Sequence, residues 1–224
     1  MAGSGAFVAA RTMAEPHVIL LGDSVFDNAA YVGGGPDVRA QVQARLPAGA
    51  RCTLGAVDGS TTSDVAGQLA RVPGDATHLV ISVGGNDALR QEGILQQPAR
   101  SVGEALGQVR RVAIAFRTGY SALLDLAGRR RLPLAVCTIY DPQFPDPVRQ
   151  ALGVAGLTLF NDAVLREAFA RGLTVIDLRL VCSEVGDLAN SIEPSVNGGA
   201  KIASCIALFA SGRGGPTVLT GRER

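Results

Sequence analysis

Three short segments of the chain concentrate the groups that acyl chemistry uses. Gly22-Asp23-Ser24 follows the apolar run 17–21 directly and presents the Ser24 hydroxyl at its end. Asp58-Gly59-Ser60-Thr61-Thr62 contains Gly59, whose backbone N–H no side chain obstructs. Gly84-Gly85-Asn86-Asp87 contributes the Asn86 side-chain amide. A nucleophilic oxygen, a free backbone N–H and an amide N–H₂ are the parts that form and stabilise a tetrahedral oxyanion. A G-D-S turn alone is equally an ordinary turn or helix-capping serine. The three segments together carry the expectation.

Serine chemistry ordinarily needs a histidine to take the proton, and this chain has two, His17 and His78. Both open apolar runs, which places them at the amino ends of strands, opposite the Ser24 turn. A six-residue strand separates its ends by roughly 16–20 Å. A base must lie within about 3 Å of the proton it takes, or act through one water. Neither histidine reaches.

The elements that must position these groups are legible in the hydrophobic pattern. Near-continuous apolar runs at 17–22, 51–58, 78–85, 132–140 and 173–179 are the mark of strands buried on both faces of a parallel sheet. Helical patterns lie between them, near 36–46, 63–71, 98–128, 147–171 and 197–210. Pro36 and Pro147 fit first-turn positions, and Gly128 and Gly172 fit helix stops. The alternation predicts one α/β domain, a doubly wound five-stranded parallel sheet with helices on both faces. Function in such sheets collects beyond the carboxyl ends of the strands. The three donor-bearing turns all leave strands there.

This set resembles the SGNH, or GDSL-type, hydrolase family over residues from about 18 to 207. Gly22 to Asn28 resembles the first family block, Asp58 to Thr62 the second and Gly84 to Asp87 the third. The resemblance implies a three-layer α/β/α sandwich in flavodoxin-like order, with Ser24 as nucleophile and Gly59 and Asn86 as oxyanion donors. It also implies an esterase, lipase, thioesterase or deacetylase that needs no metal or organic cofactor. The family's last block is D-x-x-H followed by Pro, where the His is the base and the Asp orients it. Here Asn190 and Glu193 occupy those two places, before Pro194. Glu193 reads two ways: as a replacement base, with its pKa raised by burial or by a neighbour such as Asp187, or as a carboxylate satisfied at a helix start.

Other polar residues share the same rim. Asp23, Asp27, Tyr140, Asp141 and Arg179 form the expected substrate-binding set, with Asp27 also able to brace the serine turn. Arg179 is equally a surface ion-pair residue, and Asp141 before Pro142 an ordinary turn residue.

Composition narrows the partners. A net charge of +1 and 4% aromatic residues give no footprint for a nucleic acid. No run reaches the roughly 18 apolar residues of a membrane span. Cys52, Cys137, Cys182 and Cys205 are widely spaced, with no metal-binding pattern, and read as small core residues of a reduced, cytoplasmic protein. Residues 1–15 are expected to be a disordered extension, 16–211 the hydrolase-like domain and 212–224 a flexible tail. The functional expectation is a serine hydrolase acting on a small acylated substrate. Its alternatives use the same pocket for elimination, cyclisation or acyl transfer with Glu193 as acid or base, or for holding a ligand without turnover. Oligomeric state is not legible.

Overall fold

The computed structural model describes residues 15–212. The expected extension and tail lie outside the described residues, apart from Glu15 and Gly212. Each apolar run contributes a strand: β1 (His17–Gly22), β2 (Arg51–Leu54), β3 (His78–Ser82), β4 (Leu134–Cys137) and β5 (Thr174–Ile176). All pairs are parallel, in the order β2-β1-β3-β4-β5. The interior strand β1 is buried along its whole length, which is why its sequence is apolar without alternation.

The pleat still divides the core in two. Val18, Leu20, Val80, Ala135 and Ile176 face one layer; Ile19, Leu21, Leu79, Ile81 and Val136 face the other. The first layer holds α1 (Val38–Arg45). The second holds α2 (Val65–Ala70). The short helix α3 (Gly85–Arg90) starts inside what reads as a turn in the sequence. Next come α4 (Val102–Gly128) and α5 (Pro147–Ala170), both in the second layer. After a single turn, α6 (Leu178–Val181), helix α7 (Val196–Ala210) returns to the first layer.

Side-chain caps fix most helix starts. Asp37, Ser101, Asp146 and Ser195 each accept a backbone N–H from the first turn. Pro147 takes the expected first-turn position in α5. Pro36 does not: it precedes the cap Asp37, because the Asp side chain, rather than the Pro ring, defines where α1 begins. The strands are also shorter than the apolar runs, whose last residues bend away to form the functional turns; Leu178, for example, already belongs to α6.

Two helices are much longer than the sheet requires. At 27 and 24 residues, α4 and α5 span about 40 and 36 Å, against roughly 10–20 Å for the strands. Their buried residues begin only at Phe116 and Phe160. The first half of each therefore stands away from the sheet, on the side where the strands end, and walls a cleft. Among the described residues no helix is long and apolar enough to cross a membrane.

Candidate active site

The serine turn depends on Gly22. Its φ of 127° suits glycine, and a Cβ there would lie 1.7 Å from the Ser82 carbonyl oxygen. With no side chain in the way, β1 ends tight against β3, and Asp23 N–H donates to Ser82 O at 3.1 Å. The Asp23 carbonyl then accepts from both Phe26 and Asp27 N–H, closing a tight turn around Ser24. Ser24 is buried, and its own N–H has no hydrogen-bond partner among the described residues.

Glu193 arrives from 169 residues away. The segment before α7 is pinned by backbone and side-chain bonds alike: Ala189 N–H donates to Glu193 O at 2.7 Å, Tyr140 Oη to Ile192 O at 2.6 Å, and Asn28 Nδ2 to Pro194 O at 3.1 Å. So held, Glu193 Oε1 accepts the Ser24 hydroxyl at 3.1 Å. Its other oxygen, Oε2, is buried with no partner among the described residues. Burial pushes the Glu193 carboxyl up to about 7; the Ser24 hydrogen bond opposes this and the Asp58 charge adds to it.

Asp187 is not the neighbour that tunes Glu193. It is buried and held by Lys201 Nζ at 2.9 Å, and it also accepts the Glu184 N–H. Lys201, on α7, captures it. A second carboxyl beside Ser24 is that of Asp23, which burial pushes to about 7 against the Val25 N–H bond, with the Glu193 and Asp87 charges contributing.

The donor turns are tied to the serine turn and to each other. Asn86, in the first turn of α3, donates from Nδ2 to Ser60 O at 3.0 Å, which leaves its second amide hydrogen free. Asp87 Oδ2 accepts both the N–H and the hydroxyl of Thr62. Gly59 takes a φ of 76°, and its N–H has no partner among the described residues. Asp27 Oδ2 accepts Asp58 N–H at 3.0 Å, bracing the second turn against the first.

Sequence reasoning missed Gln68, the residue that clamps this assembly. From α2 its Oε1 accepts Gly22 N–H at 2.7 Å, while its Nε2 donates to Gly22 O at 2.8 Å and to Ser60 Oγ at 3.2 Å. The available signal was a glutamine on the same helical face as Val65 and Leu69, where an apolar residue is expected.

A cleft partly open to solvent runs from these groups between α3, α4 and α5. Asp23, Ser24, Asn86, Tyr140 and Glu193 line one end of it. Leu89, Ile94, Val109, Val112, Leu157 and Phe160 line the rest. Gly59 lies on the adjoining turn, outside this lining. Asp141 is exposed and Arg179 pairs with Asp177 at 2.5 Å, so neither is brought to the cleft. His17 is occupied by Asp75 and Thr53, and His78 meets the Phe209 ring, both at the amino ends of their strands. Among the described residues no group of three or more His, Cys, Asp or Glu side chains is arranged to hold a metal ion.

Comparison with known proteins agrees with this architecture. A lipase/acylhydrolase from Enterococcus faecalis superposes with a TM-score of 0.64 at 20% identity, covering 91% of this chain and 100% of that one. An extracellular lipase from Streptomyces rimosus gives 0.63 at 19% identity, covering 86% and 99%. A phospholipase A1 from Streptomyces albidoflavus gives 0.59 at 15%, covering 89% and 100%. At such identities these likenesses speak for the fold. A search of curated protein sequences finds no match. The model of the GDSL-like Lipase/Acylhydrolase family matches residues 20–198, which include all three donor-bearing turns and the segment carrying Glu193. The chain belongs to that family.

Proposed function

We propose that this protein is a serine hydrolase of the esterase, thioesterase or deacylase type, acting on a small acylated substrate with Glu193 in place of the usual histidine. The observation that carries this reading is the 3.1 Å hydrogen bond from Ser24 Oγ to Glu193 Oε1. Ionised Glu193 takes the Ser24 proton as Oγ attacks the substrate carbonyl carbon. Ser24 N–H, Gly59 N–H and Asn86 Nδ2 then stabilise the oxyanion. Protonated Glu193 returns the proton to the departing alkoxide or thiolate, leaving an acyl-serine. A water, deprotonated by the same carboxylate, releases the acid and restores Ser24.

An ordinary glutamate, with a pKa near 4.5, is a weak base for this work. Burial brings Glu193 to about 7, where a large share is ionised at neutral pH and its basicity approaches that of imidazole. The apolar cleft beyond Ser24 suits the acyl chain. A reduced, cytoplasmic setting is part of the same reading, supported by four unpaired cysteines, three of them buried.

A fluorophosphonate probe and a series of short-chain aryl esters test the proposal. Covalent labelling that is lost in Ser24→Ala, together with ester turnover, is the expected result. An unlabelled, correctly folded protein without turnover on any ester would overturn it, and would favour elimination, cyclisation, acyl transfer or ligand binding in the same pocket.

A further inference from the structure

A second, more open cleft adjoins the first along Gln91, Val112 and Phe160. The α3 helix separates the two: Asn86 and Leu89 line the acyl cleft, while Asp87 and Arg90 line the second. Arg111 from α4 reaches the same space, with Thr61 and Ser63 on the opposite turn. Some arginines of this protein find carboxylates, as Arg149 does with Glu92 and Arg171 with Asp125, and others, Arg110 among them, do not. The Arg111 side chain has no ion pair or hydrogen bond among the described residues. Arg90 makes one long contact, from Nη2 to Gly59 O at 3.4 Å.

The carboxylates nearby bond backbone N–H and hydroxyl groups rather than either guanidinium, although the Thr61 bonds and, beside them, the nearby Arg90 charge hold the Asp64 carboxyl below its ordinary range. Asp87 Oδ2 accepts the Thr62 N–H and hydroxyl, and Asp64 Oδ2 accepts those of Thr61. Neither forms an ion pair with Arg90 or Arg111. Two guanidinium groups with unused donors on one cleft make a site for a planar or tetrahedral oxyanion; the Ser63 hydroxyl adds no donor, because Thr61 Oγ1 donates to Asp64 and so takes the Ser63 proton. Its position is informative. Arg90 touches the carbonyl of Gly59, so the site begins at the reaction centre on the side away from the acyl cleft.

The geometry points to an anion subsite at Arg90 and Arg111 that binds a carboxylate or phosphate on the alcohol or thiol half of the substrate. This assignment of a leaving group rests on the proposed role of Ser24. The substrates it selects are acyl esters or thioesters with an anionic leaving group, the apolar acyl chain lying on one side of α3 and the charge on the other.

Paired substrates test it. Butyryl-coenzyme A against butyryl-N-acetylcysteamine isolates phosphate, and 4-butyryloxybenzoate against its methyl ester isolates carboxylate. The ratio of kcat/KM, anionic over neutral, should fall tenfold or more in Arg90→Gln/Arg111→Ala. It should stay as in the wild type in Arg110→Ala, whose side chain does not line the cleft. The pair that responds identifies the anion. A ratio unchanged in the double variant, or lowered equally by Arg110→Ala, overturns the assignment. Calorimetric binding of phenyl phosphate and of benzoate gives a readout without turnover. Binding of either anion that is lost in the double variant sustains the subsite even where Ser24 resists labelling and the hydrolase reading falls. A wild-type protein that binds neither anion overturns the subsite even where esters are hydrolysed.

Discussion

Asn190 holds Glu193 by the backbone: its Oδ1 accepts the N–H groups of Ile192 and Glu193, both at 2.9 Å. The residue at the place of the family's orienting aspartate has thus become a turn-former, and Glu193 reaches Ser24 without a side-chain bond to Asn190. A carboxylate needs no partner to fix a tautomer, whereas an imidazole does. The two replacements therefore belong together.

The first prediction reverses them. Glu193→His alone should give a poorly oriented ring and little activity. Asn190→Asp keeps one oxygen for the two backbone N–H groups and frees the other for the ring. The double variant should hydrolyse simple aryl esters measurably faster than Glu193→His. Equal rates in two folded variants would show that position 190 cannot orient a base at 193.

The rate should depend on pH through Glu193. Only the ionised form accepts the Ser24 proton, so kcat/KM should rise with pH through about 7. Asp23 shares the burial and sits close enough for its charge and that of Glu193 to oppose each other's ionisation. Asp23→Asn removes one of the two charges, which favours ionised Glu193, so the rising limb should move to lower pH. A limb that stays in place in Asp23→Asn would mean that the two carboxyls do not interact.

Removing a donor tests the oxyanion hole separately from the base. Asn86→Ala should lower turnover by about 10²–10³-fold, the usual cost of one such donor. The bond to Ser60 O is also lost, so a thermal melt must accompany the assay. An unchanged rate in a stable variant would mean that no oxyanion develops beside Asn86.

The clamp at Gln68 should affect stability as well as rate. Gln68→Leu fills the same space but leaves Gly22 N–H without its partner at the end of β1, while Gly22 O keeps the Val57 N–H at 3.1 Å. Each unsatisfied buried group costs about 1–3 kcal/mol, and in a chain of this size each kcal/mol lowers Tm by about 2–4 °C. A Tm equal to the wild type would show that β1 and the second turn do not rely on this side chain.

What the sequence revealed was governed by local pattern. The parallel strands follow from five apolar runs and their order from the family resemblance, and Ser24, Asn86 and Glu193 were legible because each lies in a short family block; the strand ends were not, since β2 to β5 stop before their runs do. Contacts between distant segments were not legible. Asp187 is six residues from Glu193 in sequence, yet its partner is Lys201 on α7. Gln68 meets Gly22 across 46 residues, and nothing in either neighbourhood announces the pairing. The early start of α3 hid inside Gly84-Gly85, which reads as a turn because glycine disfavours helix interiors yet is tolerated at helix starts. The same limit applies to the two clefts, whose walls come from the projecting halves of α4 and α5 rather than from any motif.

The last prediction concerns the stability sacrificed to keep Glu193 buried. Its folded-state pKa is raised to about 7 from an ordinary 4.5, so the folded protein holds this proton more tightly than the unfolded chain. Between those two values the unfolded chain has released the proton while the folded one retains it. Stability from this group is therefore full below about pH 4.5, falls as pH rises through 7, and is lost above it. Asp23 acts with the same sign, from its ordinary 3.8 to about 7. Glu193→Gln keeps an oxygen to accept the Ser24 hydroxyl and removes the titration. It should abolish ester turnover, raise Tm relative to the wild type at pH 8, and make little difference at pH 4. Melts at pH 4, 6 and 8 for both proteins decide the matter. A wild-type Tm that rises from pH 5 to 8 without the Gln variant gaining on it would contradict a buried, destabilising carboxylate. Full activity in Glu193→Gln would make the glutamate structural and remove it from the mechanism.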